Sequence, residues 1–368
     1  MKTLRRLIYG EVINAVAFVT LGFLSLFLFF DLVEEIQEVG RHGVRGYQLT
    51  HALIYVTLMI PSHLYELLPI TVLIGTITVM ARLAQSSEYT ILRTSGLGPW
   101  QALKTLLSLG LAFVMLTFVV GDYASPLADR TAQLLKARFT GAITIGQTGA
   151  WLKERQQQSQ FAVNVGELAG DGGLRSVRIF EFDAQGRVRS LTHAQAAQIQ
   201  ESNASWLLQE ARRTQFNQSD TGLAVVRETL AEWEWPNQIS TEMVSAALLK
   251  PDRMSTIGLF QYIQHLQTNA QAAQRYQIEL WRKVFYPLSC LVMVVLALPF
   301  AYLHFRGGGI ATYVFAGVMA GISFFLLNNV FGYIGNLRSW QPLLTAALPG
   351  LIYSMVSLTA FVWLVLRR

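Results

Sequence analysis

The sequence predicts an α-helical membrane protein with six transmembrane helices, three on each side (3+3) of an inserted β-jelly-roll domain. Three observations carry that fold class. First, hydrophobic residues make up 52% of the 368 and charged residues only 14%, too apolar for an ordinary soluble domain. Second, six apolar segments each reach the length of about 17–25 residues that a bilayer-crossing helix needs. Third, between the third and fourth segments lie roughly 150 residues of mixed polar sequence, enough for a domain of its own, and its middle alternates with the period of strands.

The chain opens on a short basic stretch with Lys2, Arg5 and Arg6. Residues 12–30 form the first span, read as a retained anchor because no small-x-small cleavage site follows it. It exits into Asp31, Glu34, Glu35 and Glu38, then a loop over residues 40–46. Residues 48–82 are apolar but longer than a bilayer needs, and carry Pro61, His63, Glu66 and Pro69. The part from Pro69 to Arg82, with a turn or two before it, reads as the span. The part before that is expected to lie at the interface or beyond it, kinked at a proline. Residues 100–121 are the third span, 284–303 the fourth, 310–331 the fifth and 343–366 the sixth.

In the insert, Phe161, Val163 and Val165 share a face. Residues 176–182 and 187–191 flank Asp183-Ala-Gln-Gly186, a turn signal, and read as a hairpin. Residues 205–216 and 222–235 read as further strands, the second placing Trp233 and Trp235 on one side. Strands at this spacing predict a β-sandwich or jelly roll. Helical flanks are expected over 125–139 and 255–277. The domain division that follows is 1–122, with a cytoplasmic helix over 86–96, then the β domain at 123–276, then 277–368. The lone cysteine, Cys290, falls in an apolar helix, so no disulfide within the chain holds the insert.

Charge sets the topology. Lys2, Arg5, Arg6, Arg82, Arg93, Lys104, Arg306, Arg367 and Arg368 fall on one set of ends, and only Arg41, Arg45 and Arg338 on the other. The positive-inside rule puts both termini in the cytoplasm and the β domain outside it. The net charge of +6 is explained by these helix ends and does not argue for nucleic acid.

The polar connector from Gln85 to Gln101 is therefore cytoplasmic. Ser86 or Ser87 caps a short helix, Glu88 complements its dipole, and Tyr89, Ile91 and Leu92 fall near one face. Gly96, Gly98 and Pro99 end it. Such a helix is either a surface connector or a coupling helix that joins a permease to the partner that moves it.

No P-loop, HExxH, GxSxG or Cys/His metal set is present, so neither a catalytic residue nor a metal ligand is expected. The spans are nearly free of ionisable residues. Glu66 and His63 are exceptions, and Glu66 is read as an interfacial carboxylate before a proton relay. Asn328 and Asn329 read as interhelical hydrogen-bond partners, and Gly317 and Gly321 as a small-xxx-small packing face. Three function classes remain: a permease subunit of an ABC-type lipid exporter, an ion-coupled secondary carrier, and a membrane-anchored scaffold acting through its external domain.

A set of short motifs, in order along this topology, resembles the LptF/LptG family of lipopolysaccharide-export permeases. They are Pro61 and Pro69, Leu73 and Gly75, Leu83-Ala-Gln-Ser-Ser-Glu88, Ser95-Gly96, and Trp281-x-Lys283-x-Phe285-x-Pro287-Leu288. Trp151-x-Lys153 and Phe180-x-Phe182-Asp183 look more like the LptG branch. The resemblance covers the whole chain and implies a bacterial inner-membrane location with a periplasmic β domain. It implies three protein partners: a homologous LptF-like permease, a dimeric cytoplasmic LptB-like ATPase that binds the ATP and Mg, and an LptC-like membrane-anchored periplasmic β-jelly-roll protein. No cofactor is then expected in this chain. Ser87, Glu88, Tyr89, Ile91, Leu92 and Arg93 would contact the ATPase, with Glu88 matching the family's connector carboxylate. Lipopolysaccharide would enter between the first helix of one permease and the fifth of the other, here past Phe23, Phe27 and Phe30 or past Gly317, Gly321 and Phe324. It would leave through the β domain along Phe161, Val163, Val165, Ile179, Trp233 and Trp235. Family members can present basic residues where the first helix leaves the membrane. The acidic exit here leaves lipid phosphates to Arg41, Arg45, the partner permease or a bridging divalent cation.

Overall fold

The computed structural model describes residues 2–42, 46–86, 89, 91, 94, 98–140, 149–156, 159–169, 173–200, 204–219, 222–240, 243–244, 251–269, 271–302 and 310–366. Eight α-helices run in chain order among them: α1 Lys2–His42, α2 Leu49–Gln85, α3 Pro99–Val119, α4 Ser125–Thr140, α5 Thr256–Thr268, α6 Gln274–Ala297, α7 Ile310–Leu337 and α8 Pro342–Phe361. Six helical stretches are long and apolar enough to cross a membrane. A π-helical turn, Val120–Ala124, carries α3 directly into α4. Six strands, β1 Ala150–Gln156, β2 Ser159–Leu168, β3 Leu174–Phe182, β4 Val188–Gln200, β5 Ser205–Ser219 and β6 Gly222–Pro236, lie between the two helical triplets. The contacts divide the chain into two compact units, 1–33 with 59–126 and 277–368, and 34–58 with 127–276.

In the first unit α2 is the central helix. Its most apolar window is 83% buried, against 11% for α1 and 22% for both α7 and α8. One side of α2 gives Val72, Val79, Met80 and Leu83 to a cluster with Val12 and Val16 of α1, Leu106 and Leu109 of α3, and Val294 of α6. Another side gives Leu73 and Ile77 to a second cluster with Met293, Ala297 and Phe324. A helix that is apolar all round is one that neighbours surround. Gly75 lets α1 approach closely: a Cβ there would lie 2.7–2.8 Å from the side chain and backbone of Val16. Thr20 donates to Thr71 across the same contact at 2.9 Å.

α2 runs as one helix of 37 residues with Pro61 and Pro69 inside it, longer than a bilayer needs. A proline costs a helix one hydrogen bond and some bending, which surrounding helices can offset. The 19-residue apolar run at the start also understates α1, whose helix continues past the acidic residues to His42.

The second unit is built on one antiparallel sheet of order β1-β2-β3-β4-β5-β6, so every strand pairs with its neighbour in sequence. Among the described residues the strands follow one another by short connections with no crossover. The β3–β4 turn shows the local chemistry. The Asp183 carboxylate accepts from the amides of Gln185 and Arg187 at 2.9 and 2.8 Å, and Gly186 takes a left-handed φ of +78°. Those hydrogen bonds hold the Asp183 carboxyl below its usual value. β1 is a strand the alternation pattern did not single out.

The register gives the sheet a buried face that changes character along the strands. One row across it is Ala150, Val165, Val177 and Ala194, and the next is Leu152, Val163, Ile179 and Thr192. A third row, Glu154, Phe161, Glu181 and Ser190, is largely polar. Trp206 is fully buried, and its indole donates to the Ile239 carbonyl at 2.9 Å. Trp206→Ala should destabilise this unit by about 3–5 kcal/mol, the usual loss for a buried aromatic. Limited proteolysis of the full chain in detergent against denaturant checks this, with the half-exposed Trp151→Ala expected to change little.

Candidate transport site

The aromatic residues of α1 are partly covered. Phe23 and Phe27 are half-buried and Phe30 is exposed. The Phe27 ring lies 5.1 Å from His63 of α2, and His63 Nε2 lies 2.6 Å from a carboxylate oxygen of Asp31. On α7, a Cβ on Gly317 would lie 2.8 Å from the end of Ile77, and one on Gly321 2.9 Å from Ile70. Phe324 is buried in the second cluster. These three α7 residues thus face α2 of the same chain. The outward face of α7 is formed by others, among them Phe315, Leu326 and Tyr333. On α1 the outward residues include Phe18, Leu21 and Phe29.

Three of the four acidic residues after the first span, Asp31, Glu35 and Glu38, have partners within the chain. Besides the Asp31–His63 contact, buried Glu35 accepts from Lys136 at 2.5 Å and from the Tyr47 hydroxyl at 2.8 Å. Burial and that carboxylate push the Tyr47 phenol up from its usual value. Glu38 pairs with Arg41 at 3.0 Å. Arg45 lies outside the described residues.

A polar network that sequence reasoning missed joins the helices of the first unit. Buried Lys283 donates to the Gly121 carbonyl at 2.9 Å, with its ammonium 5.8 Å from the centre of the Tyr65 ring. The Tyr286 hydroxyl donates to the Glu66 carbonyl at 2.6 Å. Arg282 donates to Glu279 at 2.7 Å and to Asn329 at 3.0 Å, which makes Asn329 an interhelical hydrogen-bond partner. The signal available was the motif from Trp281 to Leu288, whose cations Arg282 and Lys283 sit more than two turns into α6, just ahead of its apolar run. Glu66 itself is exposed. Among the described residues, no cluster of three or more His, Cys, Asp and Glu side chains comes together to hold a metal.

Of the connector residues, Ser87, Glu88, Leu92 and Arg93 lie outside the described residues. Tyr89 is buried with its ring 5.1 Å from Tyr302, and Ile91 is exposed. In the β domain, Val163, Val165, Ile179 and Trp235 are buried, while Phe161 and Trp233 are half-buried. Phe161 and Trp235 lie 5.6 Å apart, and Arg213 sits 5.0 Å over Trp233.

Two triplets of apolar helices that flank one antiparallel β domain in sequence, with lightly buried outer helices, define a multi-pass membrane protein with an inserted domain. Comparison with known proteins narrows the class. The profile of the lipopolysaccharide export system permease family LptF/LptG matches residues 6–367. The chain is 26% identical over 352 residues to the lipopolysaccharide export system permease protein LptG of Escherichia coli K12, covering 94% of each. It is 25% identical over 370 residues to the LptG of Haemophilus influenzae, covering 100% of this chain and 99% of that one. The chain belongs to the LptF/LptG family of lipopolysaccharide export permeases. It is a multi-pass inner-membrane protein and a permease of a transport system.

The α7 geometry generates a test. Gly317→Leu and Gly321→Leu should each lower stability by about 1–3 kcal/mol, because the added side chain pushes α7 off Ile77 or Ile70. Gly22→Leu on α1 meets nothing within 4 Å and should be neutral. Thermal unfolding of the three detergent-solubilised variants measures this, and equal Tm values would refute the packing.

Proposed function

We propose that this chain is the permease subunit of an ABC-type exporter that extracts lipopolysaccharide from the inner membrane and passes it through its periplasmic β domain to a periplasmic bridge. It acts with a homologous permease, a dimeric cytoplasmic ATPase and a membrane-anchored periplasmic β-jelly-roll protein. Both termini are cytoplasmic, as the Lys and Arg distribution supports. The observation that carries the reading is the family match over residues 6–367, which takes in both helix triplets and the β domain in one order. The low burial of α1 and α7 supports lateral entry, because apolar faces left uncovered by their own chain meet lipid or another subunit. ATP and Mg belong to the ATPase, and the stretch Ser87–Arg93 is its docking element.

The test is purification of an affinity-tagged chain from native membranes. The ATPase and a second permease should co-purify, and the reconstituted assembly should move lipopolysaccharide to a soluble β-domain acceptor only with ATP. A chain that purifies without an ATPase, or transports without ATP, would overturn the proposal.

Glu88→Ala should leave insertion intact and weaken ATPase retention or lipid-stimulated turnover by about tenfold, the scale of one lost interfacial contact near 1.4 kcal/mol. Full transport by Glu88→Ala, Leu92→Ala and Arg93→Ala would remove the connector from the coupling. Passage through the β domain is tested with photo-crosslinkers at Val163 and Ile179. Lipid adducts that depend on ATP are expected. Adducts only in the membrane helices would send the lipid by another route.

A further inference from the structure

At the junction of α3 and α4 one backbone carbonyl receives no amide from its own helix. In the π turn Val120–Ala124 the Ser125 amide donates to the Val120 carbonyl, one residue further back than in an α-helix. The Gly121 carbonyl would take the next amide, but that residue is Pro126, which has no N–H. Gly121 is buried, and a buried acceptor without a donor is destabilising. Lys283 of α6 supplies the donor: its buried ammonium reaches the Gly121 carbonyl at 2.9 Å. Glycine is required at 121, because a Cβ there would run into the Tyr65 ring. The same ring lies with its centre 5.8 Å from the ammonium.

Two more bonds close this junction. Ser125 Oγ lies 2.7 Å from Ser62 Oγ of α2. The Tyr286 hydroxyl of α6 donates to the Glu66 carbonyl of α2 at 2.6 Å. Ser62 and Glu66 are four apart on α2, and Lys283 and Tyr286 three apart on α6, so each pair shares one face of its helix. The bonds therefore close a triangle between α2, the α3–α4 junction and α6. In chain order α4 leads into the six strands and α6 follows them. The triangle thus fastens the segment that enters the insert to the segment that leaves it.

We infer that Lys283 is a positioning residue for export: by holding the Gly121 carbonyl it keeps the junction in its π register and sets the direction in which α4 leaves α3. The inference rests on the export reading above and adds the residue that links the spanning helices to the run of chain before the β domain. The alternative is an α register. There the Ser125 amide would return to Gly121, Lys283 would lose its acceptor, and the Asp122 carbonyl would be the one facing Pro126. Ser125 and everything after it would then turn by one residue of helix, roughly 100°. The junction has two hydrogen-bond patterns, and a shift of α6 that carries Lys283 toward or away from Gly121 selects between them.

Two variants favour the α register by independent routes. Lys283→Met removes the donor at similar length. Pro126→Ala restores an amide, so that a continuous α-helix has every bond and no longer needs Lys283. Lys283→Arg keeps a cationic donor. The register is read by oxidative cross-linking of a Ser62→Cys, Ser125→Cys pair in the full chain in nanodiscs. Cross-linking should be fast with no further change and with Lys283→Arg, and about tenfold slower with Lys283→Met or Pro126→Ala, the scale of one lost charged hydrogen bond. In the reconstituted assembly, without the cysteines, the same two variants should export at least about fivefold less lipid per ATP hydrolysed. Pro126→Ala should do so with an unchanged or raised Tm, which a merely structural role for this contact would not produce. Unchanged cross-linking in both variants, or full export per ATP by Pro126→Ala, overturns the assignment. If Lys283→Met does not fold, Pro126→Ala decides alone. If no ATPase accompanies the chain, the export reading falls, and cross-linking in the chain by itself still decides whether Lys283 holds the turn.

Discussion

The membrane unit depends on the enclosure of α2. In hydrocarbon a helix satisfies its own backbone, so helices associate through side-chain fit and close backbone approach. α2 meets this on several sides, with Val72, Val79 and Leu83 in one cluster and Leu73 and Ile77 in another. Gly75 permits the approach of α1, and Gly317 and Gly321 permit that of α7. Because α2 absorbs these contacts, α1, α7 and α8 are left with most of their apolar surface outward. The far faces of these outer helices are left uncovered by the rest of the chain.

The β unit is ordered by strand register. Its strands pair in sequence order, so one register aligns residues of like position across the sheet. The buried face is apolar at the rows of Val165 and Val163 and polar at the row of Glu154 and Glu181. Glu181 is held there by Ser190 at 2.7 Å and by Arg213 at 3.5 Å.

Charge shows how far a residue count can mislead. Asp31, Glu34, Glu35 and Glu38 read along the chain as an acidic patch that would repel lipid phosphates. In the structure Asp31 meets His63, Glu35 meets Lys136 and Tyr47, and Glu38 meets Arg41. Much of the patch is consumed by the fold itself. Ion pairs and charged hydrogen bonds of this kind form because a buried carboxylate is costly unless partnered. Their partners come from positions up to 101 residues away in sequence.

The sequence by itself determined the six spans, the insertion of a β domain between two helix triplets, and the sites of its main strands. Those features depend on local apolar length and on period-two alternation, which any window of the chain displays. It also determined that Gly317 and Gly321 form a packing face, since small residues four apart share one side of a helix. What α7 packs against was decided only by tertiary structure, and it is Ile77 and Ile70 of the same chain. The same holds for the unbroken course of α2 through two prolines, the Arg282–Asn329 bond, and the bond from Lys283 to the Gly121 carbonyl. Each depends on residues distant in sequence being brought together, and no periodicity along the chain records which distant face a given residue will meet.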